Sequence, residues 1–362
     1  MNHKIYIGGS IFIIFILALS GCIDFFSFNT ITYESHPTAI NYTITYGYKI
    51  KCTGQGKYSI NYDLDYPEVI NGRILSTYIH NNNYQIINLA TYNDVIRWDF
   101  NSSENTDYEL LITAEIDAES HITSDLNQPD ALTLEQINKQ HPNLVEQFCS
   151  AQSNKTTVFI DPLNPAISEI TDEILTNAKT NNSFLVAKEL FKWLKQQTTY
   201  KTHELNDEAV QSAYNTLMLG TGDCDDLSFL YISLCRSLNI PSRYIRGFLL
   251  DESSLVQHAW AEVFVGGGIG NDGWIPVECA GTSNNIQTEI HQNFGIESAG
   301  HLRLFIDDGS NESLNITFSG INYRIFSDNR VIDIKFYSSV NNYLIIKSQQ
   351  LFIEDNRIRY YK

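Results

Sequence analysis

Basic residues are scarce in this chain: 24 Lys and Arg stand against 42 Asp and Glu, a formal charge of −18. Nucleic-acid affinity comes mainly from Lys and Arg, so a phosphate-binding surface is excluded as the main business of the protein. Cysteine is sparse as well, and six in 362 residues are too few to frame a fold with disulfides. Charged residues make up only 18% of the chain and hydrophobic ones 43%, the reverse of a disordered composition. Internal repeats and low-complexity tracts are missing. Aromatics are plentiful, and 21 Tyr favour strands. The length suits roughly two or three domains at about 100–200 residues each.

The first residues form an address. Lys4 and the terminal amine precede an apolar run, Ile11 through Leu19, with small residues after it. This is the pattern of a secretory signal. Leu19-Ser20-Gly21-Cys22 resembles a lipobox, which would make Cys22 the lipidated first residue of the mature chain. The alternative is an uncleaved anchor from Ile5 to Ile23, barely long enough to span a bilayer. Both readings keep Lys4 inside and put the rest of the chain on the extracytoplasmic face of the membrane.

From Ile40 to Ile50, apolar residues alternate with Asn41, Thr43, Thr45, Gly47 and Lys49, and Tyr58 to Tyr66 repeats the pattern. Period two with one apolar face is a half-buried strand. The Tyr stripes are expected to pack on a core rather than to bind glycans. Helical spacing takes over at Ile167, Ile170, Ile174 and Leu175, again at Phe184 to Leu194, and in a helix from Cys224 to Leu238 that Pro241 stops. Strands are expected at Ser242–Leu250, Gln257–Val265 and Gly273–Cys279. The resulting division is a signal peptide over 1–21, a tether over 22–35, a β-sheet or sandwich domain over 36–118 and a linker over 119–165. An α+β domain follows over 166–295, with helices packed on an antiparallel sheet, and a C-terminal β segment over 296–362.

The chemistry gathers in residues 221–282. Gly222-Asp223-Cys224 lies where a Gly-containing turn meets a helix. A Cys at that place gains thiolate stability from unpaired N–H groups and the helix dipole. Asp223, Asp225 and Asp226 oppose this, because negative charge raises a thiol pKa. A cationic partner is therefore required, and His258 can supply it. Alternation puts His258, Trp260, Glu262 and Phe264 on one face of their strand and Trp274, Pro276 and Glu278 on one face of the next. If Phe264 lies opposite Asp272 across the Gly266–Gly273 loop, His258 lies opposite Glu278, within about 5 Å at Cβ. That is the nucleophile, base and orienter of cysteine acyl transfer. Paired Cys-x-x-Cys or His-x-x-x-His spacing is missing, so no metal or other cofactor is expected.

Gly222-Asp223-Cys224-Asp225-Asp226, Asn239-Ile240-Pro241-Ser242-Arg243, His258-Ala259-Trp260 and Gly273-Trp274-Ile275-Pro276-Val277-Glu278 follow one another in an order that resembles the transglutaminase-like superfamily, relatives of the papain-type cysteine proteases. The resemblance covers about a third of the chain. It implies Cys224 as nucleophile, His258 as base and an acidic third member at Glu278, where the family usually has Asp; Asp272 is the fallback. Trp260 and Trp274 are expected to pack in the core, with walling the cleft against substrate as the alternative, and Arg243 to anchor its strand. Cys52, Cys149, Cys235 and Cys279 leave three two-disulfide pairings open. The expected activity is a membrane-anchored thiol hydrolase, a peptidase or amidase, acting on a protein, peptide or cell-envelope polymer. Protein cross-linking by acyl transfer is one alternative, and a non-catalytic envelope binding module is another.

Overall fold

Alternating burial along β1 (Thr30–Gly54) sets the first layer. Ile40, Tyr42, Ile44, Tyr46, Ile50 and Cys52 turn inward and are buried, as a period of two requires. The computed structural model describes residues 29–90, 93–150, 158–203, 210–250, 254–310, 314 and 322–362. The signal, the lipobox and Cys22 lie outside the described residues.

The other strands are β2 (Tyr58–Asp65), β3 (Gly72–Ile79), β4 (Gln85–Ala90), β5 (Asn93–Ser102), β6 (Thr106–Glu119), β7 (His121–Ile122), β8 (Thr199–Tyr200), β9 (Thr221–Gly222), β10 (Ser242–Leu250), β11 (Leu255–Phe264), β12 (Trp274–Val277), β13 (Ile296–Glu297), β14 (His301–Ile306), β15 (Asn322–Ile325), β16 (Arg330–Glu354) and β17 (Ile358–Tyr361). One sheet runs β17-β16-β1-β6-β3 and a second β15-β2-β5-β4. Tyr42, Tyr46, Tyr58, Tyr62 and Trp98 fill the core that they share. Tyr48 of the first sheet meets Tyr62 of the second edge-on at 5.2 Å. The tyrosine stripes are therefore core. The strands after residue 321 return to these sheets, with β16 paired antiparallel to β1 along its length and β15 to β2.

The helices are α1 (Leu134–Gln140), α2 (Pro142–Cys149), α3 (Pro165–Ala178), α4 (Ser183–Gln197), α5 (Ala213–Leu219), α6 (Cys224–Ser237) and α7 (Ile286–Asn293). Within the 119–165 segment two helices form, because Pro142 begins a new one after His141. Helix α6 lies between the other helices and a third sheet, order β12-β11-β10-β14. Leu227, Phe229, Leu230, Tyr231, Ile232 and Leu234 are all fully buried, at about 1.5–3 kcal/mol for each large apolar side chain removed from water. Phe248, Leu250, Leu302 and Leu304 of the third sheet join the sandwich core, so that sheet packs on the sandwich as well as on the helices. Among the described residues no helix is long and apolar enough to cross a membrane.

Candidate active site

Backbone geometry delivers Cys224 to the first position of α6. Gly222 pairs with Tyr200 in the short β8–β9 ladder, and a Cβ on Gly222 would meet Asp226 Cβ at 2.5 Å, so only glycine lets the turn close on the helix start. Asp223 caps the helix, accepting from the N–H groups of Asp225 and Asp226, while Asp226 accepts from the N–H of Asp223. This reciprocal box satisfies the first turn. Asp226 also accepts from Gln211 N–H at 2.7 Å and bonds His203 Nε2 at 2.9 Å. The N–H of Cys224 itself has no partner among the described residues.

The thiol is half-buried, whereas Cys52, Cys149, Cys235 and Cys279 are buried; all five are free, so no disulfide forms among them. Burial first, then Asp225 and Asp223, push the Cys224 thiol pKa well up, and the backbone N–H of Ala259 works in the other direction. Helix α6 packs on β11, the strand that carries His258. Asp223 is itself pushed up to about 6 by burial, Asp226 and Asp225.

His258 Nε2 and Glu278 Oε2 are 2.6 Å apart. Oε1 of Glu278 accepts from Ala280 N–H at 2.7 Å. With Nε2 occupied, Nδ1 is the ring nitrogen left to exchange a proton. Burial opposes the charged imidazole, but Glu278, Asp225 and Asp223 outweigh it and raise the His258 pKa. Burial likewise opposes the charge on Glu278, yet His258 and His301 hold its carboxyl well below the usual range.

The expected register is corrected. Phe264 faces Trp274 and Ala261 faces Val277, two residues away from a pairing of Phe264 with Asp272. Asp272 has φ of 50° among Gly266, Gly267, Gly268, Gly270 and Gly273, all at positive φ, so it belongs to the turn and cannot extend the strand. A shift of two preserves the face. Continued past Val277, the ladder would set Glu278 opposite Trp260, diagonal to His258, a separation that the longer Glu side chain bridges. Asp272 is exposed, which removes it as an alternative third member.

Trp260 and Trp274 are corrected as candidate substrate contacts. Trp260 is 1% exposed, donates its indole N–H to Glu297 at 3.1 Å and forms the floor under His258 and His301. Trp274 packs on Phe148 and Phe264, with the Arg243 guanidinium 4.2 Å over its ring. Arg243 anchors its strand to β11 through Glu262, its cross-strand partner, at 2.6 Å.

Three participants escaped the sequence reading. The capping role of Asp226 had a signal, an acidic residue three positions after Asp223 ahead of an apolar run. Tyr244, which donates to Asp225, had none. His301, whose Nε2 lies 3.2 Å from Glu278 Oε2, sits in a segment whose strand pairing was not legible.

Residues 168–279 match the Transglutaminase-like superfamily, and this segment of the chain belongs to that superfamily. A candidate cysteine protease from Cytophaga hutchinsonii shares the fold at a TM-score of 0.53 and 12% identity, over 92% of this chain and 100% of that one. The periplasmic domain of TgpA from Pseudomonas aeruginosa aligns at a TM-score of 0.32 and 10% identity, over 68% of this chain and 92% of that one. No curated protein sequence matches the chain. The α+β architecture expected from the sequence, helices on an antiparallel sheet, is the one found.

Proposed function

We propose that the protein is an extracytoplasmic, membrane-anchored thiol enzyme that cleaves amide or peptide bonds through an acyl-enzyme. The observation that carries this reading is the pairing of His258 Nε2 with Glu278 at 2.6 Å in a sheet packed against α6, whose first residue is Cys224. Cys224 Sγ attacks the carbonyl carbon. His258 Nδ1 takes the thiol proton and later gives it to the leaving amine. Glu278 holds the ring and stabilises the imidazolium that forms. Because burial and two carboxylates keep the thiol protonated at rest, proton transfer accompanies attack. The unpartnered Cys224 N–H, at the positive end of α6, is the donor for the developing oxyanion. Water then releases the acyl group, and an amine acceptor would give cross-linking instead. The outward location rests on the signal and lipobox pattern of residues 1–22.

A non-catalytic binding module is the second reading, and the raised thiol pKa is the observation on its side. A panel of peptides and envelope polymers, offered with and without an amine, separates the readings. Turnover that vanishes in Cys224→Ala supports the enzyme, and amine-dependent product names transfer over hydrolysis. Binding without turnover by the wild type would leave only the module.

A further inference from the structure

His301 gives the site a second imidazole that acyl transfer does not use. Its Nε2 lies 3.2 Å from the same Glu278 oxygen that His258 Nε2 meets at 2.6 Å. The ligand atoms of His258, Glu278 and His301 all fall within 4.8 Å of one another. Two imidazoles and one carboxylate converging at this spacing are the donor set of a tetrahedral zinc-type ion with one open position. The next layer fits as well. His301 Nδ1 lies 2.7 Å from Ser298 Oγ, the outer contact that fixes ring and tautomer in a metal-binding histidine. Asp225 and Asp223 act on His258 from the α6 side, and their negative charge favours a dication at the ring. The other histidine cluster, His203 with Asp223 and Asp226, differs. Asp226 there is fully buried, with Oδ2 committed to Gln211 Nε2, Asp223 N–H and His203 and Oδ1 to Gln211 N–H, so it serves the helix start rather than an ion.

We infer that His258, Glu278 and His301 form a reversible inhibitory site for a divalent ion of the zinc class. The inference rests on the proposed catalytic role of His258. In the metal-free enzyme Nε2–H faces Glu278 and Nδ1 is the base. When Nε2 ligates the ion, the ring proton sits on Nδ1, so the neutral imidazole has no lone pair left for the thiol proton. Nothing is oxidised or reduced, and removal of the ion restores the original tautomer.

Cobalt(II), a coloured stand-in for zinc, tests this on the full chain. Titration should saturate at one equivalent with tetrahedral ligand-field absorption, in the wild type and equally in Cys224→Ala, since the sulfur is not a ligand. His301→Gln should weaken binding by about 100-fold, and Ser298→Ala, which keeps every ligand, by about tenfold, with circular dichroism confirming the fold of each. Zinc should abolish turnover of the wild type, a chelator should restore it, and His301→Gln should need about 100-fold more zinc. Loss of cobalt binding in Cys224→Ala, or unchanged binding in both other variants, overturns the site. Cobalt binding with no turnover in any assay would sink the enzyme reading and leave the metal site standing. Turnover without cobalt binding would do the opposite.

Discussion

At the residue scale, the proposed chemistry depends on what Glu278 does to one imidazole. Burial alone would lower the His258 pKa, and Glu278 leads the groups that reverse this. In the proposed mechanism the working form is the neutral ring, so activity falls as pH drops through the raised pKa, and the acid limb of kcat/KM should lie above about 6.5, the ordinary histidine value. Glu278→Gln removes the largest raising influence. The limb should then move to lower pH, and the plateau should fall by about 10²–10⁴-fold. A pH–rate profile checks both, and an unmoved limb would show that Asp225 and Asp223 set the pKa. Cys224, His258 and Glu278 stand out in the sequence because each sits at a marked place: a helix start, a strand interior and the residue just after a strand. His301 carries no such mark. It meets Glu278 only because β14 joins the sheet on the far side of β10, which no local pattern records.

At the element scale, β10 and β11 hold the site rigid through charge buried behind it. Glu262 accepts from Arg243 and Arg303, and Arg303 also pairs with Glu297. All four residues are buried. Glu262 is held down to about 2, burial opposing its charge and the two guanidiniums overcoming that. Removing one member of such a group strands the others without water. Glu262→Ala should therefore cost about 3–5 kcal/mol in urea unfolding, and a loss under about 1 kcal/mol would mean that Glu297 suffices for Arg303. The strands themselves were legible from alternation, β10 to the residue. Their register was not. Period two fixes which face a side chain takes, while the length of a glycine loop fixes its neighbour, and five glycines at positive φ between Val265 and Trp274 permit several closures.

At the scale of the whole molecule, the first and last described strands close on each other and on the site. Strand β16 pairs with β1 from Thr30↔Glu354 to Gly54↔Arg330, a juxtaposition of distant segments that alternation in either one cannot reveal, since each reads only as a half-buried strand. Arg359 of β17 then carries the closure inward. Its guanidinium is fully buried and donates to carbonyls of Thr123 at 2.6 Å, His291 at 2.9 Å, Ile290 at 3.3 Å and Phe294 at 2.5 Å. Three of those carbonyls close the C-terminal end of α7, where a cation is favoured by the dipole. The same helix end accepts the N–H of Glu278 at Asn293 O, 2.9 Å, and Gly295 N–H donates to Pro276 O at 2.7 Å. The last strand thus braces the backbone of Glu278 through α7. Arg359→Met keeps the apolar stem but leaves these carbonyls unpaired, at about 1–3 kcal/mol for each that water cannot reach. The expected result is a lower unfolding midpoint together with faster amide hydrogen exchange at α7 and at Glu278. A lower midpoint with unchanged exchange at Glu278 would confine Arg359 to holding the C-terminal hairpin and break the link from chain end to imidazole.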